Sequence, residues 1–287
     1  MSTEETVMVV GAGQMGSGIA QVFAQSGYTV LLHDASEKQI HRAISSMTKQ
    51  LTKRAEKGKL AHQAVRDITQ RLAVSTDLKD VKQAHLVIEA ASEQMSVKKQ
   101  IFETLDQFAE AKTIFATNTS SLSITELAAV TGRPEQVIGM HFMNPVPIMK
   151  LVEVIRALQT SDDTYQIVCE TAKTLNKTPI EVEDFPGFVS NRILMPMINE
   201  AIFTLYEGVA DAESIDGVMT LGMNHPMGPL RLADFIGLDT CLFIMNTLHE
   251  GLGDSKYRPC PLLKKYVNAG WLGKKTMRGF YTYHDHS

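Results

Sequence analysis

Up to residue 183 the chain switches repeatedly between two hydrophobic spacings. Short apolar runs at 7–10, 28–33, 86–90, 113–117, 137–140, 151–155 and 179–182 predict strands. Between them, apolar positions recur every three or four residues, which predicts helices after residue 13 and over 37–60, 96–108, 124–130 and 162–175. In the second of these, Ile40, Ile44, Met47 and Leu51 make one apolar face, and the opposite face carries Lys49, Lys53, Arg54, Lys57 and Lys59. Strands alternating with helices imply crossover connections and an α/β fold with a mostly parallel, doubly wound sheet. The pattern changes at Asp184-Phe185-Pro186-Gly187. Beyond it only helical spacing recurs, over 188–206, 212–221 and 230–252, punctuated by Pro226, Pro229, Pro259 and Pro261. Two domains are therefore expected, an α/β domain over 1–185 and a second, all-helical domain over 186–287.

The first strand runs into Gly11-Ala12-Gly13-Gln14-Met15-Gly16, and the second ends in Asp34. Strand, glycine turn, helix, strand and acid is the order a dinucleotide requires, and it makes the sheet Rossmann-type. Gly11 permits the tight turn, Gly13 lets the backbone approach a pyrophosphate, and Gly16 lets the helix pack closely. The pyrophosphate would sit on the unpaired N–H groups at the helix start. Asp34 would accept the ribose hydroxyls. Its charge would repel a 2′-phosphate, and Ala35-Ser36 offer no arginine to offset it, so the expected cofactor is NAD rather than NADP. Lys38 and Arg42 lie one or two helical turns further on.

Composition narrows the classes. Of 287 residues, 44% are hydrophobic and 21% charged, enough for a substantial core. A net charge of −4 argues against a nucleic-acid partner. No apolar run approaches a membrane span. The first residues, Met1-Ser2-Thr3-Glu4-Glu5, have neither signal nor transit character. Cys169, Cys241 and Cys260 are odd in number and widely spaced. They suggest a reducing compartment, ordinary thiols and no metal site.

Candidate chemistry gathers where strands end. His141 follows the run 137–140, and Glu153 lies twelve residues later inside another apolar run. A carboxylate there needs a partner. A histidine would serve and would have its tautomer fixed and its basicity raised in return, but Lys150 and Arg156 are equally available. Asn118-Thr119-Ser120-Ser121 follows another strand end. It reads as a loop of hydrogen-bonding groups, and also as a helix cap before Ile124, with Ser120, Ser121 or Ser123 capping and Glu126 completing a capping box. Asn191 falls on the first helix of the second domain. The basic face at Lys53 and Lys57 is either a solvated surface or an electrostatic site for a phosphorylated ligand.

Taken in order, G-A-G-x-M-G, N-T-S-S-L, H-F-x-N-P-V at 141, L-V-E at 151–153, D-F-P-G-F-x-x-N-R at 184–192 and Asn224-His225-Pro226-Met227-Gly228-Pro229 resemble the L-3-hydroxyacyl-CoA dehydrogenases, most closely the bacterial 3-hydroxybutyryl-CoA type. The resemblance covers nearly the whole chain. It implies His141 as catalytic base and acid with Glu153 as its acidic partner. Ser120 and Asn191 would hydrogen-bond the substrate, and Asn144 would be an active-site asparagine. Gly11, Gly13, Gln14, Met15, Gly16 and Asp34 would hold NAD. Glu93 and Lys98 would lie toward the nicotinamide, with Asn118 beside the ring. Lys53 and Lys57 would contact coenzyme A. It further implies an acyl-CoA substrate and a homodimer joined through the helical domain, while composition leads us to expect a cytoplasmic protein with no metal, membrane or nucleic-acid partner. One departure is Met277, where the family commonly has glycine before its basic-Gly-aromatic ending. Two other readings fit the same fold: a dehydrogenase of a free hydroxy acid, and a non-catalytic structural protein of the crystallin kind.

Overall fold

The computed structural model of the chain describes residues 5–284. The chain divides into two compact units, one ending at Asp184 and the other beginning at Phe185. In order, the first unit holds β1 (Thr6–Val10), α1 (Gln14–Gln25), β2 (Thr29–His33), α2 (Glu37–Glu56), α3 (His62–Gln70), β3 (Leu72–Ser75), β4 (Leu86–Glu89), α4 (Met95–Phe108), β5 (Ile114–Thr117), α5 (Ile124–Ala128), β6 (Val137–Phe142), β7 (Leu151–Arg156), α6 (Asp162–Thr174) and β8 (Thr178–Glu183). Eight strands form one sheet in the order β3-β2-β1-β4-β5-β6-β7-β8. All pairings are parallel except the hairpin β6–β7. The strand order reverses between β1 and β4, which is where doubly wound sheets open a crevice beyond their carboxyl ends.

Burial explains which strands announce themselves. Every residue of β4, β5 and β6 is buried, so each shows in the sequence as a short, mainly apolar run. The core continues through Val7, Val9, Ile19, Phe23, Leu32, Ile88, Ile138 and Val154, packed among Ile40, Met47 and Leu51 of α2. At the sheet edge β3 leaves Ala73 and Val74 exposed. With α3 before it, β3 is absent from the elements that the hydrophobic spacing predicts. The predicted helix 37–60 stops at Glu56, and Lys57 is its cap. The expected strand 137–140 continues through Phe142, because His141 and Phe142 pair with Glu153 and Val152 across the hairpin. His141 thus lies within the strand, not after it.

The second unit is built from α7 (Ser190–Tyr206), α8 (Ala212–Gly222), α9 (Pro229–Ile236), α10 (Leu238–Leu252) and α11 (Pro261–Asn268). Its core joins Met195, Ile198 and Ile202 of α7 to Leu230, Ile244, Met245, Leu248 and Leu263. The expected helix 230–252 is two helices. Gly237 separates them with φ 105°, outside the helical range. The first helix begins at Ser190, not residue 188, because Phe188 takes φ 51°. Asp234, 1% exposed, gathers the C-terminal segment by accepting the N–H groups of Phe280 and Tyr281 and the Tyr283 hydroxyl. Met277 sits in the left-handed region at φ 61°. The three cysteines are free and buried. Among the described residues no helix is long and apolar enough to cross a membrane, and no cluster of His, Cys, Asp or Glu is arranged to hold a metal ion.

Candidate active site

The glycine turn joins β1 to α1 at the switch point. Gly11 has φ 106°, and a Cβ there would lie 2.5 Å from the Ala90 carbonyl oxygen beyond β4. A Cβ on Gly16 would lie 1.8 Å from the Gly11 oxygen, so the helix can approach its own turn only without a side chain. At Gly13 a Cβ would meet nothing within 4 Å, and the backbone there faces open space. Gln14 is exposed and Met15 half-buried. No side chain caps the N-terminal N–H groups of α1. Asp34, the first residue after β2, fastens the turn by accepting the Ala12 N–H at 2.9 Å, and its other oxygen accepts the Ser36 N–H at 2.9 Å. An open backbone, an uncapped helix start and a carboxylate at the next strand end fit the phosphates and ribose of a dinucleotide.

The antiparallel hairpin places His141 directly opposite Glu153. His141 Nδ1 lies 2.7 Å from Glu153 Oε2, with the two residues 8% and 2% exposed. A carboxylate only accepts, so Nδ1 carries the hydrogen and the neutral ring keeps its lone pair on Nε2. The sequence left Lys150 and Arg156 as rival partners for Glu153. Arg156 instead bonds Asp162 at 2.6 Å and lies 3.5 Å from Glu181, and Lys150 is exposed. Asn118, just beyond β5, accepts the Phe142 N–H through Oδ1 at 2.9 Å, tying its loop to the strand that carries His141.

Glu93 organises the serine loop. Its Oε1 accepts from the Thr119 hydroxyl at 2.5 Å, the Ser120 N–H at 2.8 Å and the Ser120 hydroxyl at 3.2 Å. Burial pushes this carboxyl up, but the nearby Lys98 ammonium and the Thr119 and Ser120 donors outweigh it and hold it below the usual carboxylate range. Lys98 is 1% exposed. It donates to both oxygens of Glu89, at 2.8 and 2.9 Å, and lies 3.4 Å from Glu93. Glu89 is fully buried at the end of β4 and also accepts from the Thr117 hydroxyl at 2.7 Å and the Ala91 N–H at 2.6 Å. Sequence reasoning passed over Glu89. The signal was present, because a carboxylate closing an apolar run must find a buried partner.

The capping role falls to Ser123, whose hydroxyl accepts the Glu126 N–H at 3.2 Å. Glu126 points its carboxylate at Lys99, 2.7 Å away, rather than closing a capping box. Asn144, in the turn after β6, accepts from Gln14 Nε2 at 3.3 Å. Lys53 and Lys57 are exposed at the end of α2, one turn apart. Asn191, in the second unit, is the second residue of α7 and is 8% exposed, with its N–H on the Gly187 oxygen at 3.1 Å.

Comparison with known proteins identifies the family. Residues 6–185 match the NAD binding domain of 3-hydroxyacyl-CoA dehydrogenase, and residues 187–283 match the C-terminal domain of the same family. A probable 3-hydroxybutyryl-CoA dehydrogenase of Bacillus subtilis is 60% identical over 279 residues, covering 97% of both chains. The 3-hydroxybutyryl-CoA dehydrogenase of Bradyrhizobium diazoefficiens is 53% identical, covering 96% of this chain and 94% of its own. Among solved structures, (S)-3-hydroxybutyryl-CoA dehydrogenase from Ralstonia eutropha superposes with a TM-score of 0.95 at 48% identity, over 98% of this chain and all of that one. With both of its units matched and 94% or more of each reported relative covered, this chain belongs to the 3-hydroxyacyl-CoA dehydrogenase family.

Proposed function

We propose that the chain is an NAD-dependent dehydrogenase that interconverts L-3-hydroxyacyl-CoA, and 3-hydroxybutyryl-CoA in particular, with the 3-oxoacyl-CoA. The observation that carries this reading is the buried His141–Glu153 pair at 2.7 Å, in the sheet that also bears the glycine turn. NAD, when bound, supplies the hydride acceptor and donor. Gly11, Gly13, Gln14, Met15, Gly16 and Asp34 hold it, and Glu93, Lys98 and Asn118 border its nicotinamide end. His141 Nε2 takes the proton of the substrate hydroxyl in the oxidising direction and returns it in the reducing one. Glu153 stabilises the imidazolium formed in between. Ser120 hydrogen-bonds the substrate oxygen and Asn144 shapes the same pocket. Asn191 is assigned a substrate hydrogen bond on the family resemblance alone. Lys53 and Lys57 attract the phosphates of coenzyme A.

Loss of NADH absorbance with acetoacetyl-CoA tests the assignment, with free acetoacetate and NADPH as controls. Turnover that requires both the CoA thioester and NADH is the expected result. Turnover of free acetoacetate alone would make the chain a free-acid dehydrogenase. No turnover by folded protein that binds NADH would make it a structural relative. A homodimer joined through the second unit and a cytoplasmic location complete the proposal. Exposed Val209, Val218, Leu221 and Met223 of that unit support the dimer, and the mass of the protein in solution tests it.

A further inference from the structure

Lys177, between α6 and β8, is 7% exposed. Its ammonium donates to two backbone carbonyls, Val146 at 2.5 Å and Met149 at 2.7 Å, rather than to a carboxylate. Burying a cation against neutral partners is costly and needs a compensating role. Burial, with Lys150 nearby, holds the Lys177 ammonium below the ordinary lysine range. Both carbonyls belong to the eight-residue turn 143–150 that joins the His141 strand to the Glu153 strand. The rest of that turn is fixed from other sides. Thr178 donates its N–H to the Lys150 oxygen at 2.7 Å. Val146 is buried and packs so tightly on α1 that a Cβ on Gly18 would lie 2.9 Å from its own Cβ. Asn144 meets Gln14, in the first turn of that same α1.

We infer that Lys177 is a positioning residue for hydride transfer, clamping the 143–150 turn against the cofactor helix so that Asn144 and the His141–Glu153 hairpin hold one geometry relative to the dinucleotide. The inference rests on the dehydrogenase reading given above. Two or more donors on one buried cation fix the carbonyls of Val146 and Met149 together, which a methionine of similar length would not do. The cation itself touches neither cofactor nor substrate in this reading. It acts through the turn, and displacements well under an ångström in such supports are felt in turnover.

Steady-state kinetics of the full-length protein with NADH and acetoacetyl-CoA, alongside NADH binding by fluorescence, test this. Lys177→Met is expected to lower kcat tenfold or more and to leave the KM for acetoacetyl-CoA within threefold. Lys177→Arg, which keeps the charge and the donors, is expected to recover a measurable part of the loss. Gly18→Ala pushes the turn from the opposite side with Lys177 intact and should give the same drop in kcat. It keeps the test open if Lys177→Met does not fold. A folded Lys177→Met with kcat within twofold of the parent overturns the inference, as does a loss confined to KM. Failure of the parent reading looks different, because then the unaltered protein does not turn over acetoacetyl-CoA at all.

Discussion

In the proposed mechanism a single ring nitrogen carries the proton, and its bond to Glu153 selects which one. With Glu153 accepting from Nδ1, the proposed proton exchange with substrate falls to Nε2. His141→Ala should therefore lower kcat by about 10² or more while NADH binding persists, and near-normal turnover in that variant would remove His141 from the mechanism. Met277 presents the opposite case, a residue whose backbone is at odds with its side chain. At φ 61° it occupies a region that costs a non-glycine residue about 1–2 kcal/mol. Glycine gives back part of that through the freedom of its unfolded chain. Met277→Gly should then raise stability by about 0.5–1 kcal/mol in urea unfolding, and a loss of stability would mean that the Met277 side chain contributes more than its backbone costs. At this scale the sequence was legible where residue types are rare in their setting. A histidine at a strand end and a glutamate inside an apolar run stood out as candidate partners, with Lys150 and Arg156 left as rivals that only the hairpin register removed. Glu89 was equally unusual and was missed, because its partner Lys98 lies nine residues on, beyond the loop that contains Glu93.

Elements are held to one another by buried charge as well as by apolar packing. The Glu89–Lys98 pair joins the end of β4 to α4, and Thr117 on β5 bonds the same carboxylate. Glu89→Gln keeps the shape and strands the Lys98 cation, which should cost about 3–5 kcal/mol. Urea unfolding checks this, and a cost below about 1 kcal/mol would show that Glu93 alone can satisfy Lys98. On α2 the charges face water instead. Lys53→Ala with Lys57→Ala should leave stability alone and raise the KM for acyl-CoA about tenfold, roughly 0.7 kcal/mol per lysine, with little change in kcat. An unchanged KM would return this face to solvation. Strands buried on both sides were readable from their apolar runs. Edge strand β3 was not, because half of it faces solvent and four residues are too few to establish an alternation. The break at Gly237 escaped for a different reason: apolar spacing continues across it, and a single positive φ leaves no periodic trace.

At the scale of the chain, the change of pattern at Asp184-Phe185-Pro186-Gly187 coincides with a change of architecture, from a sheet with crossover helices to a unit that, among the described residues, is built mainly of helices. Each unit has its own apolar cluster. The sheet's order and its switch point follow from long crossovers, with Val7 of β1 paired to Leu86 of β4 far along the chain. No local pattern encodes that pairing. The hairpin that carries His141 and Glu153 is built differently. His141 and Glu153 are twelve residues apart and meet by closing one short turn, which costs about 1–2 kcal/mol less closure entropy than bringing β4 beside β1. The acid–base pair can therefore be inherited as a cassette. Crossovers elsewhere in the chain can lengthen or shorten over generations without parting the two side chains. Within 143–150 the tolerance narrows, since a lost residue must be absorbed by the turn itself; if the strands slipped by one instead, Glu153 would face the other side of the sheet and the histidine would lose its acid.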